Sequence, residues 1–167
     1  MNLRVVNFPV TLCTAIVCSL VAGGEVFFAG VGVAATSYPQ GFRNWVHVKS
    51  AIITSSHPAA AVEGGIHHIY ANPQAVQGYV SGQFADGSAI VYELLEANEK
   101  DGVVSEGAPR RVDMMIKDSA RFKATGGWGF ERFKASGEIT ELGSAQKTCF
   151  DCHARALDHG FVFSRMR

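Results

Sequence analysis

Five consecutive residues constrain this chain more than any other feature. Cys149-Phe150-Asp151-Cys152-His153 makes the pattern C-x-x-C-H, close to the end of 167 residues. Three-residue spacing on a helical turn puts both thiols on one face. There they can add to the two vinyl groups of a haem, and His153 can swing its imidazole beneath the iron as axial ligand. The pattern therefore reads as a covalent c-type haem site, one haem per chain, with Cys149 and Cys152 binding the cofactor and His153 the metal.

Other uses of paired cysteines fit less well. A thioredoxin-type redox pair needs a βαβ context that the surrounding sequence lacks. Structural zinc needs four ligands, and here two cysteines stand with scattered histidines. A disulfide across four residues would be short and strained.

The other end of the chain supports the haem reading. Arg4 precedes a long apolar run that leads to the small residues Val33-Ala34-Ala35. That is the layout of a secretory signal over residues 1–35, with a mature domain at 36–167. The alternative is an uncleaved anchor over residues 5–22, near the length needed to span a bilayer, although Pro9 and the Gly23-Gly24 pair weaken it. Either way the working domain is expected outside the cytoplasm, in the periplasm or an equivalent compartment, where c-type haem is attached. Val17 before Cys18 is too large for a lipidation site. Cys13 and Cys18 fall in the signal, which leaves Cys149 and Cys152 in the mature domain.

Lys plus Arg and Asp plus Glu both number 15, so there is no basic footprint for nucleic acid. Neither a phosphate-binding loop nor a dinucleotide fingerprint is present. The hydrophobic pattern predicts a strand over 64–71, then a short helix from Pro73 ended by Gly82. An Asp86-Gly87 turn leads into a strand from Ser88 to Ala97. Residues 98–109 read as a polar connection, "RRVDMMIKD" as a strand and "SARFKATGG" as a helical turn. "WGFERFK" reads as a strand, and residues 145–157 as the helix that carries the cysteines. The fold class is α+β, mainly an antiparallel β-sheet with short helices and a C-terminal haem-attachment helix.

The sixth iron position decides between functions. An electron-transfer cytochrome usually supplies a methionine downstream of the motif, and here only Met166 follows. Met114 and Met115 lie in a predicted strand, where methionine usually packs a core. Five-coordinate iron with an open side is the better reading, and pocket polarity then selects gas binding or catalysis. The four-helix cytochromes c′ also pair a C-terminal motif with an open site, but a strand-rich middle excludes that fold.

Taken in order, "YPQGFRNWVHVKS", "HHIYANPQAVQGYVSGQFADGSAIVYELLEA", "RVDMMIKDSARF", "GGWGFERF", "CFDCHA" and "FVFSR" resemble the cytochrome P-460 family, which includes the cytochromes c′-beta. The resemblance covers nearly all of the mature chain. It implies haem c on Cys149 and Cys152, His153 as proximal ligand, and a homodimer of antiparallel sheets. It also implies one of two functions. Some members oxidise hydroxylamine and carry a lysine cross-linked to the haem, in the helix after the "IYANP"-like strand. Others lack the cross-link and bind nitric oxide or carbon monoxide in a phenylalanine-capped pocket. Here residues 73–84 read "PQAVQGYVSGQF", with Tyr79 and Val80 where the lysine would fall and the nearest lysines, Lys49 and Lys100, in other elements. The leading expectation is thus an exported protein that binds nitric oxide or another diatomic gas. Hydroxylamine oxidation and simple electron transfer to a partner cytochrome are the alternatives.

Phe42, Phe84 and Phe130 are the candidates for an apolar pocket wall. Glu131 would be a proton shuttle if it faced the haem, yet it adjoins Phe130 and should point to the opposite face. Arg132 could pair with a haem propionate. His67 and His68 are adjacent on a strand, so one should face inward and the other solvent. His47, His57 and His159 show no partner pattern.

Overall fold

The computed structural model describes residues 37–140 and 145–166. The expected signal or anchor lies outside those residues. Five strands form one antiparallel sheet in sequence order: β1 (Val46–Ile53), β2 (Gly65–Ala71), β3 (Ala89–Lys100), β4 (Val103–Lys117) and β5 (Trp128–Lys134). Among the described residues three α-helices accompany it: α1 (Ala60–Glu63), α2 (Pro73–Ser81) and α3 (Ala145–His153), the last continued by a 3-10 segment, Ala154–His159. The α+β class and the C-terminal helix are as the sequence predicts.

Cross-strand register fixes which residues share a face. On one face Ile69, Tyr92, Asp113 and Arg132 stand in a row, and Ala71, Ile90, Met115 and Phe130 form the next. On the other face the matching rows are Tyr70-Val91-Met114-Glu131 and His68-Glu93-Val112-Phe133. Each face has its own core. Trp128, Phe130, Met115 and Val162 pack on the first, and Phe42, Val91, Val112 and Phe133 on the second. Glu93 is 1% exposed in that second core, where the Arg43 guanidinium donates to it and supplies the countercharge a buried carboxylate needs.

Local chemistry sets the edges of α2. Asn72 caps it, its side-chain oxygen accepting from the Ala75 amide at 2.8 Å and also from the Ala89 amide at 3.0 Å. Pro73 occupies the first turn, and Gly82 closes the helix at φ 76°. The helix packs on the first face through Gly78, on which the Phe84 ring lies; a Cβ there would come within 2.2 Å of that ring.

The stretch expected as a polar connection over 98–109 is instead the end of a long hairpin. β3 and β4 pair out to Lys100 opposite Val103. Asp101 (φ 53°) and Gly102 (φ 78°) make the two-residue turn, both left-handed as such hairpins require. The ribbon is exposed on both sides from Glu96 to Glu106, so neither side imposes the hydrophobic alternation that identifies a strand.

Candidate haem site

A cavity of about 690 Å³ lies between the first face of the sheet and α3, within the usual range for small-molecule sites. Cys149, Cys152 and His153 line it from the helix. Both cysteines are free; Cys149 is half-buried against the core and Cys152 is exposed. Burial pushes the Cys149 thiol up, Arg132 pulling the other way.

His153 is held from behind. Its Nδ1 donates to the Phe161 carbonyl at 2.7 Å, and its ring sits 5.0 Å from Phe130 and 5.1 Å from Phe163. A carbonyl only accepts, so Nδ1 carries the proton and Nε2 keeps a lone pair. Burial holds the imidazole below its ordinary pKa, which keeps it neutral. A neutral imidazole oriented through its other nitrogen is the form that ligates a metal. Two free thiols one helical turn apart, this imidazole beside them and an apolar floor of Ile69, Ile90 and Met115 fit a haem held by C-x-x-C-H.

The candidate residues separate by strand parity. Phe130 lines the cavity. Phe42 does not: it is 1% exposed in the core of the opposite face, with Tyr70 and Phe133. Phe84 does not either; it packs on Trp128 and Tyr79 behind α2, beside a second cavity of about 190 Å³. Arg132 lines the main cavity, but its guanidinium bonds both oxygens of Asp113, at 2.6 and 2.9 Å. Glu131 is among the residues that line the cavity, although strand parity puts it in the row of Met114 on the other face. Burial raises the Glu131 pKa, and Arg121 opposes that shift.

His67 turns to the cavity. His68 turns away, bonded to Ser50 at 2.6 Å and to Glu106 at 2.8 Å.

The far end of the cavity is polar, where a wall of phenylalanines was expected. Lys49, Glu63, His67 and Tyr92 stand there. Tyr92 donates to Glu63 at 3.1 Å, and Arg111 also binds Glu63 while reaching Asp113 at 2.9 Å. Glu63, Arg111, Asp113 and Arg132 thus form a chain of ion pairs of alternating charge, with Glu63, Asp113 and Arg132 on the wall. Burial and the adjacent Glu63 push the Tyr92 phenol well above its usual value. Sequence reasoning missed Glu63, Tyr92 and Asp113, and set Lys49 aside as belonging to another element. Strand parity was the available signal, since residues 90, 92, 113, 115, 130 and 132 share one face once the register is known.

No curated protein matches the chain. A family model described as cytochrome P-460 matches residues 39–164, from the residue after Tyr38 through the tail that follows His153. With that match over most of its length and this site between sheet and C-terminal helix, the chain belongs to the cytochrome P-460 family and is a haem-binding cytochrome.

Proposed function

We propose that this is an exported c-type haem protein whose iron keeps an open position for nitric oxide or a related diatomic gas. In this reading Cys149 and Cys152 would hold the haem through their thiols, and His153 would ligate its iron. The placement of the methionines carries it. Met115 lies directly across from Phe130, the residue packed on His153, and so on the proximal side. Met114 borders the main cavity but packs in the core of the opposite face, and Met166 lines the second cavity. None of these three belongs to β1 or β2, the strands at the end of the cavity away from His153. When bound, the haem would supply an iron centre able to take a small ligand; the chain orients His153 and shields it with Phe130 and Phe163. An absorption spectrum of the ferrous protein with and without nitric oxide tests the proposal. A six-coordinate low-spin spectrum that nitric oxide leaves unchanged would overturn it.

A second reading, hydroxylamine oxidation, is favoured by the polar wall, because Lys49, Glu63 and His67 could exchange protons with an N–OH substrate. Turnover with hydroxylamine and an artificial electron acceptor decides between the two, and mass spectrometry of the haem peptide reports any third covalent bond. The proposal includes export, as the signal-like residues 1–35 suggest, and a homodimer, as the family resemblance implies. Size measurement in solution tests the dimer.

A further inference from the structure

The Nδ1 atom of His67 is buried and has no hydrogen-bond partner among the described residues. A histidine that merely fills a core satisfies its nitrogens, because an unpaired buried polar atom costs as much as a lost hydrogen bond. His67 is also held rigidly. Its ring stacks on Tyr92 with centroids 4.8 Å apart and planes at 26°. Tyr92 is pinned in turn by its bond to Glu63 at 3.1 Å, so its hydroxyl hydrogen is already committed.

The proton on His67 can be placed. The ring is neutral, so one nitrogen carries hydrogen and the other a lone pair. An orphaned buried N–H is rarer than an orphaned acceptor. We assign the hydrogen to Nε2, which leaves only a lone pair unpaired at the shielded Nδ1. Nε2 is the polar edge that remains for the cavity His67 lines. His67 is on β2 and the neighbour of His153, Phe130, is on β5, three strand spacings away. That separation is about 14 Å across the sheet.

We infer that His67 Nε2–H is the hydrogen-bond donor to a small ligand bound at the end of the cavity away from His153. The inference rests on the proposed open iron position. The ligand class it favours is a diatomic whose outer atom becomes electron-rich on binding ferrous iron. His67 is a specificity-determining residue for such a ligand, since a donor held in place favours polar adducts over apolar occupancy.

Carbon monoxide is the probe. The C–O stretch of the ferrous carbonyl complex and the carbon monoxide dissociation rate are measured for the wild-type holoprotein, His67→Phe and His67→Gln. His67→Phe keeps a ring to stack on Tyr92 and removes the donor. It should raise the stretch frequency and speed dissociation about tenfold, the factor one hydrogen bond supplies. His67→Gln restores an N–H and should recover most of both. If His67→Phe does not fold, His67→Leu replaces it. Unchanged stretch and rate in the apolar variant overturn the donor role and leave the open-iron reading standing. An equal shift in the Gln variant overturns it as well, because packing would then be the cause. A wild-type protein that binds no carbon monoxide overturns both.

Discussion

The Nδ1 atom of His153 donates to the carbonyl of Phe161, eight residues downstream, at 2.7 Å. The His153 imidazole is thus oriented by a backbone group, and what fixes that backbone fixes the ring. Phe161 holds φ 70°, a left-handed conformation uncommon outside glycine, and its ring lies against Gly126 and Phe150.

Gly126→Ala should disturb that arrangement from a distance. A Cβ there meets the Phe161 ring at 2.5 Å, and Gly126 itself sits at φ 61°. The expected outcome is a loss of about 1–3 kcal/mol in urea unfolding and a changed iron–histidine stretch in the ferrous protein. An unchanged stretch would mean that the carbonyl does not depend on the ring's position.

Gly78→Ala tests the packing of α2. Alanine gains about 1 kcal/mol of helix propensity over glycine, but its methyl would lie 2.2 Å from the Phe84 ring. The clash wins, because Phe84 is wedged between Tyr79 and Trp128. A net destabilisation of about 1–2 kcal/mol in equilibrium unfolding is expected.

Asp113 joins Arg111 and Arg132, with side chains between 12% and 29% exposed. Asp113→Asn leaves two guanidinium groups facing each other across a neutral amide. About 1–3 kcal/mol of stability should be lost, and more at low salt, where the repulsion is least screened. Unfolding at two ionic strengths measures both effects.

Stability should fall on mild acidification through His67. Burial holds its folded pKa below the ordinary 6.5. Between the folded and unfolded values the unfolded chain binds more protons, so stability rises with pH there. The contribution is complete above about 6.5 and is lost as pH falls through the depressed folded value. Thermal unfolding at pH 7.5 and 5 should therefore show a smaller difference in His67→Phe than in the wild type.

Replacing both Cys149 and Cys152 with serine removes the two thiols on the cavity wall. Acid–acetone extraction should then release haem that the wild-type protein retains.

Legibility in the sequence followed the physics of each element. "WGFERFK" was predicted as a strand and is one, Trp128–Lys134, because it is rich in aromatic residues, which favour a pleated, half-buried surface. The helix at Pro73 was readable from its proline start and glycine stop. The outer half of the β3–β4 hairpin was not, because a ribbon wet on both sides carries no apolar period. That Cys149, Cys152 and His153 share one cavity wall was legible because C-x-x-C-H is a fixed spacing on one helical turn. The far wall was not, because Lys49, Glu63, His67, Tyr92 and Asp113 converge from four strands and a helix through register alone. Phe42 misled for a related reason: its size marks it as buried, and size says nothing about which face buries it.

The strand order has a kinetic consequence. Each strand bonds to the one before it in sequence, so no distant segment must arrive before the first pairing forms. Closing short loops costs little entropy, and sheets built from neighbouring strands assemble quickly for their class. The five strands can form as the chain emerges, in advance of the helix that carries the thiols. Once the sheet has formed, only the closing segment, with Phe161 and its carbonyl, has still to fold over its first face.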